Sequence, residues 1–231
     1  MSKESITRII VVYDALEELA DEVVFVGGTT VALYADRPSG ESRPTDDVDI
    51  LVELIHYREY AAIEERLRSK GFINDIESGV IGRYHVQGII VDVMPTGKNT
   101  LGFTNAWYEQ GYATAMTHAL DKNYSVRIFQ PVYFLASKME AFNDRGGGDG
   151  RWSSDFEDIV YVLNNRNSIW KELQAADKEV KTYLKEQFRL LLENEFIVEW
   201  ISVHLDQIEQ KRSRMIIGEL TIFVGELNSI F

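Results

Sequence analysis

A chain of 231 residues has room for one domain, or two closely packed subdomains, around a substantial core. Its 45% hydrophobic and 26% charged residues suit a folded globular protein rather than a disordered one, and no apolar run is long enough to span a bilayer. The absence of cysteine excludes disulfides and thiolate zinc sites, while a net charge of −13 disfavours broad, non-specific binding of nucleic acid, whose phosphates would be repelled.

Ile6, Ile9, Ile10, Tyr13, Leu16 and Leu19 fall on one side of an opening helix. This acidic, amphipathic start lacks the form of a secretory signal, so a cytoplasmic protein using hard oxygen ligands is expected. Residues 23–26 read as a buried strand stopped by Gly27 and Gly28, and residues 29–34 as the helix that follows. A polar turn over 38–44 leads into a second strand at 48–53, then a helix at 57–70 that ends at Gly71. Strands are expected at 72–76, 82–86 and 89–94, with weaker strand patterns at 112–118 and 125–129. Pro131 suits the first position of a helix running to about residue 143. A glycine-rich stretch, 143–150, precedes four helices at 153–164, 177–192, 195–207 and 211–224. The order predicts an α+β fold: a small mixed β-sheet core flanked by helices (1–145), followed by a C-terminal helical bundle (151–231).

The chemistry concentrates in three places. In Thr45-Asp46-Asp47-Val48-Asp49, the two-residue period of a strand puts Asp47 and Asp49 on one face, about 6.6 Å apart at their α-carbons. Side-by-side carboxylates repel unless a cation occupies the gap, and Mg²⁺ or Mn²⁺ suits such oxygen donors. An acidic turn capping nearby backbone is the alternative. Asp92 interrupts the apolar strand Ile89-Ile90-Val91-Asp92-Val93-Met94, so it needs a partner: a shared metal, or else Arg83 or Arg43. The metal reading requires Asp92 to face Asp47 and Asp49 with no lysine or arginine filling the gap. Gly27 and Gly28, opening onto Thr29, present bare backbone N–H groups to an anion such as a phosphate; a tight connection is the plainer alternative. Along residues 177–192, Lys178, Lys181, Lys185 and Arg189 form a basic stripe that suits either a solvated face or an RNA backbone.

These residues resemble the polymerase-β-like nucleotidyltransferase superfamily, and more narrowly its AbiEii/MenT-type branch of toxin–antitoxin and phage-defence proteins. Phe25-Val26-Gly27-Gly28-Thr29 is similar to the first motif, and Arg43-Pro44-Thr45-Asp46-Asp47-Val48-Asp49 to the second. Leu135-Ala136-Ser137-Lys138-Met139-Glu140-Ala141-Phe142 is similar to the helix bearing an essential lysine. The fourth motif falls at Ser154-Asp155-Phe156-Glu157-Asp158, with Ser154 where lysine is usual.

The resemblance implies a metal-dependent enzyme that moves an NMP from an NTP to an acceptor hydroxyl. Asp47, Asp49 and Asp92 would hold Mg²⁺ or Mn²⁺, with Asp92 also serving the attacking hydroxyl. Gly27, Gly28, Thr29, Arg43, Thr45, Asp155 and Asp158 would contact the nucleotide, and Lys138 would offset triphosphate charge. The acceptor would be a tRNA 3′ end or a protein, the acidic charge weighing against the tRNA, and an antitoxin is an expected partner. Two alternatives stay open: a catalytically idle nucleotide- or partner-binding protein of the same fold, and a nucleotidyltransferase acting on a small molecule of the antibiotic type.

Overall fold

The strand pattern in the first half of the chain resolves into one mixed sheet. In a computed structural model, which describes residues 3–37, 41–54, 57–97, 105–145 and 148–225, the opening amphipathic segment forms α1 (Lys3–Leu16), continued by a 3₁₀ turn at Glu17–Glu22. Residues 38–40 of the expected polar turn and Gly146-Gly147 of the glycine stretch lie outside the described residues. The strands are β1 (Val23–Val26), β2 (Asp47–Val52), β3 (Ile73–Asn74), β4 (Arg83–Val86), β5 (Ile89–Pro95), β6 (Met116–Ala119) and β7 (Ser125–Ile128), in the order β3-β4-β5-β2-β1-β7-β6. The pairs β2–β5 and β1–β7 are parallel and the rest antiparallel. Inner strands flanked on both sides need apolar side chains, and Val23 to Val26 are all buried.

On β2 and β5 burial alternates. Val48 and Ile50, and across from them Val91 and Val93, are fully buried, whereas Asp47, Asp49 and Asp92 are half-exposed. Helix α1, with Ile9, Val12 and Leu16 buried, packs against these two strands. Helix α2 (Tyr57–Ser69) serves β4, where the buried Tyr84 hydroxyl donates to Glu64 at 3.1 Å. Arg83, the neighbour of Tyr84, therefore points to the other side of the sheet.

Three expectations change. The segment 112–118 is not one strand: α3 (Tyr108–Ala113) ends there, and β6 begins only at Met116. Gly111 is a helical residue against the Phe129 ring, where a Cβ would sit 2.7 Å from the ring. The stretch after the glycine pair is a 3₁₀ helix, Gly28–Tyr34, rather than an α-helix. The strand expected at 72–76 shrinks to the two residues of β3, a short edge strand.

The chain forms two compact units, Met1–Leu33 with Glu41–Gln130, and Tyr34–Gly40 with Pro131–Phe231. The sequence boundary near residue 150 thus lies within the second unit, because α4 (Pro131–Arg145) packs on α5 (Ser154–Asn165) and α7 (Lys178–Leu192). Helix α5 is N-capped by Ser153, whose hydroxyl accepts from the Phe156 N–H. A short helix that the pattern did not suggest, α6 (Ile169–Ala175), buries Ile169 and Leu173. The unit closes with α8 (Ile197–Val203) and α9 (Arg212–Val224). Val180, Leu184, Phe188 and Leu191 form the buried stripe of α7 that their spacing implies.

A polar knot in this unit joins the residues after Tyr34 to the last helices. Arg37 pairs with Glu209 at 2.6 Å, Asn164 donates to Glu209 at 2.8 Å, and Arg212 donates to the Asn164 side chain at 2.5 Å. Burial alone would raise the Glu209 carboxyl, but hydrogen bonds from Arg37 and Asn164 outweigh it and hold the group below the ordinary glutamate range. A depressed folded value contributes stability above the unfolded pKa, and that stability is lost as pH falls through the folded value. Glu209→Gln is expected to cost about 1–2 kcal/mol near neutral pH, because Arg37 loses its carboxylate. It should also flatten the acid side of the stability profile below about pH 4.3, followed by thermal unfolding across the acid range.

Candidate active site

The parallel pairing of β2 with β5 sets Asp49 directly opposite Asp92, and Asp47 lies two residues along β2 on the same face. One carboxylate oxygen from each of Asp47, Asp49 and Asp92 lies within 4.8 Å of the others. Three half-exposed carboxylates at this spacing repel one another and are the hard, oxygen-only donor set that suits Mg²⁺ or Mn²⁺. The residues present therefore fit a divalent ion.

The glycine pair belongs to the same site. Gly27 follows Val26, the partner of Asp49 in the β1–β2 ladder, and has a φ of +72°. A Cβ on Gly27 would fall 1.7 Å from Asp49 Oδ2, and one on Gly28 would fall 2.3 Å from Arg43 Nη2 and 2.8 Å from Thr45 Cγ2. Glycine is needed here first to let the turn pass against Asp49 and Arg43, whatever anion the backbone N–H groups then meet. Thr29 and Thr30 are buried. The Thr29 hydroxyl donates to the Asp47 carbonyl at 2.5 Å and lies 3.3 Å from the Thr45 hydroxyl, while Thr30 Oγ1 donates back to the Gly27 carbonyl at 2.9 Å. Gly27, Gly28, Thr29, Arg43, Thr45, Asp47, Asp49 and Asp92 thus assemble within the sheet unit.

A basic side chain, Arg83, reaches the rim of the cluster, yet the three acids still lie within 4.8 Å of one another. In the antiparallel β4–β5 ladder Arg83 stands opposite Asp92, and directly opposed residues share a face. Arg83 Nε donates to Asp92 Oδ1 and Nη2 to Asp92 Oδ2, both at 2.7 Å, and Nη2 lies 3.9 Å from Asp47 Oδ2. Hydrogen bonding to Asp92 pushes the guanidinium further above its already high ordinary value. The arginine partner weighed for Asp92 and the three-acid cluster therefore coexist: Asp92 faces the other two acids and carries an arginine on its outer side.

Arg8, on α1, is a positioning residue that the pattern did not single out. Its guanidinium donates to the Thr45 carbonyl and lies 3.6 Å from Asp46, pinning the loop that enters β2. In the sequence it reads as one more polar residue on an amphipathic helix. Its only signal is that Arg8 is the single arginine of α1.

In the helical unit, Lys138 is buried between two aspartates. Its Nζ lies 3.1 Å from Asp155 Oδ1 and 2.7 Å from Asp158 Oδ2, and Arg145 donates to Asp155 at 2.9 Å. Lys138 and Arg145, seven residues apart, share a side of α4 as their spacing implies. Ser154 opens α5 one residue after its cap and takes no part in the described cluster. The basic stripe on α7 is largely engaged locally. Arg189 pairs with Glu186 and Glu193, Lys181 donates to the Gln174 carbonyl at 2.5 Å, and Lys185 lies 5.5 Å from the Phe223 ring centre.

A sheet that gathers three aspartates beside a side-chain-free turn suits metal-assisted chemistry on phosphates. The model of the family described as nucleotidyl transferase AbiEii toxin, type IV toxin–antitoxin system, matches residues 10–220. The chain belongs to that family, and it is a nucleotidyltransferase. Among solved structures, the antibiotic-resistance factor ANT(2″)-Ia, known in solution, is similar in fold, with a TM-score of 0.51 at 12% identity over 83% of this chain and 96% of its own. No curated protein matches. Among the described residues no helix is long and apolar enough to cross a membrane.

Gly27→Ala tests the turn. The added methyl would overlap Asp49, and φ is positive, so a loss of about 1–3 kcal/mol is expected, read as a lower midpoint in urea. An unchanged midpoint would show that the turn and Asp49 are not in contact.

Proposed function

We propose that this chain is a divalent-metal-dependent nucleotidyltransferase that moves an NMP from an NTP to a hydroxyl on a protein or a tRNA 3′ end, acting as the toxin of a toxin–antitoxin pair. The observation that carries this reading is the convergence of Asp47, Asp49 and Asp92, one oxygen of each within 4.8 Å of the others, against the Gly27 turn. Membership of the AbiEii family supports nucleotidyl transfer and an antitoxin partner.

Asp47 and Asp49 act as the principal ligands, and Asp92 as the third. A Mg²⁺ or Mn²⁺ held by these acids would supply Lewis acidity at the α-phosphate and screen the charge on the departing pyrophosphate. Gly27 and Gly28 let phosphate oxygens lie close to the backbone beside Asp49, with Thr29 and Thr45 fixing the edges of that approach. The Arg43 guanidinium, against the Gly28 α-carbon, suits the same phosphates. Lys138 is assigned to offset triphosphate charge on the family motif alone; within its own unit Asp155 and Asp158 hold its ammonium. In the reaction the acceptor oxygen bonds to the α-phosphorus as the bond to the bridging oxygen breaks, and pyrophosphate leaves. Asp92 is the group assigned to take the acceptor proton.

Incubation of the protein with each α-³²P NTP, Mg²⁺, total RNA and a protein extract tests this directly. Label is expected on one class of macromolecule and not when EDTA removes the metal. Asp49→Asn or Asp47→Asn should lower transfer by a factor on the order of 10²–10³ while leaving the thermal midpoint equal or higher, since one of three mutually repelling charges is gone. Full activity in either variant would overturn the assignment. Label on RNA alone, or on protein alone, selects the acceptor.

A further inference from the structure

We propose that Arg83 is a resident counter-cation of the three-acid site, which holds Asp92 in the metal-free chain and gives it up when a divalent ion binds. The inference rests on the metal reading above and concerns a residue to which that reading gives no part.

Four observations carry it. The first is placement. Arg83 is the direct cross-strand partner of Asp92, so the β4–β5 register delivers a guanidinium to the rim of the acidic cluster. The second is geometry. Two 2.7 Å bonds use both oxygens of Asp92, and the same Nη2 lies 3.9 Å from Asp47. A carboxylate gripped in this forked way offers a metal only its remaining lone pairs, and the guanidinium and the incoming ion repel each other.

The third observation is charge. With oxygens of all three acids within 4.8 Å of one another, the metal-free cluster is repulsive, and one positive group at its edge removes much of that cost. A divalent ion performs the same service better, so the two cations compete for Asp92. The fourth is a place for the arginine to go. Arg83 also lines an open cavity of about 530 Å³ together with Tyr60, Glu64, Asn74 and Asp75. The side chain is 23% exposed, and the Asp75 carboxylate, close enough to act electrostatically on the guanidinium, can receive it when it leaves Asp92.

The latch makes a signed prediction for metal affinity. Measured by isothermal titration calorimetry on the full chain, Arg83→Gln should bind Mn²⁺ roughly tenfold more tightly than the wild type, because a competing positive charge has been removed. Its metal-free thermal midpoint should fall by about 2–4 °C, and saturating Mn²⁺ should recover that loss. Arg83→Lys, which keeps the charge but cannot bridge both oxygens, covers the case in which the glutamine variant does not fold; roughly threefold tighter binding is expected.

A wild-type measurement needs no substitution. In ¹⁵N spectra the Arg83 Nε–H signal should move and exchange faster with solvent as Mg²⁺ is added, and should not do so in Asp49→Asn. Unchanged or weaker Mn²⁺ binding in the variants, or an Arg83 signal indifferent to Mg²⁺ that the wild type demonstrably binds, overturns the latch and leaves the metal site standing. Failure of the wild type to bind Mn²⁺ or Mg²⁺ at all overturns the metal reading itself, and the latch with it.

Discussion

The register between β2 and β5 is the constraint from which the site follows. Parallel strands in register send paired side chains to the same face, so the pairing of Asp49 with Asp92 puts two acids together, and the two-residue period brings in Asp47. A slip of one residue would turn Asp92 into the core and bring Val91 or Val93 to the site. The fully buried Val48, Ile50, Val91 and Val93 on the opposite face oppose that slip, since it would expose apolar surface and bury a charge. Apolar packing on one side of the sheet thus fixes the geometry of an unfavourable charge cluster on the other. Continued one strand outward, the same row ends in Arg83, and the sheet carries three negative charges and one positive in a single band.

Much of this was legible in the sequence. Strand β1 falls where the apolar run 23–26 put it, and an aspartate alternating with valine and isoleucine marks β2 and β5 because burial on one face leaves a period-two trace. Arg83 was visible as a possible partner of Asp92, but its pairing depends on the register of β4, which no local pattern sets. Arg8 was not visible at all, since its contact with Thr45 spans 37 residues of chain and leaves no periodicity. The segment 112–118 misled for a related reason. Tyr112 and the residues after it have strand-like composition, yet Gly111 lies in a helical turn against Phe129, and tertiary packing overrides propensity. Likewise, the helix expected after the glycine pair is drawn into 3₁₀ form, where the hydroxyls of Thr29 and Thr30 bind nearby carbonyls.

The helical unit shows a second way of burying charge. Lys138 is almost fully enclosed, a position that lysine rarely occupies without partners, and two aspartates one helical turn apart on α5 supply them. Removing either side of such an arrangement leaves the other buried and uncompensated, which typically costs more than the pair contributes. The family resemblance brought Lys138, Asp155 and Asp158 into the sequence argument as nucleotide-site residues; within this unit the two aspartates hold the lysine.

The contact between the glycine turn and Asp49 has a consequence for side-chain length. Asp49 Oδ2 occupies the space that a Cβ on Gly27 would fill, so the carboxylate abuts the turn on that side. Glutamate would preserve the charge, yet its longer arm would collide with the turn or swing its oxygens out of reach of Asp47 and Asp92. The strand–turn junction therefore acts as a gauge: it admits the shorter acid and excludes its homologue on reach, a distinction that charge alone would never make.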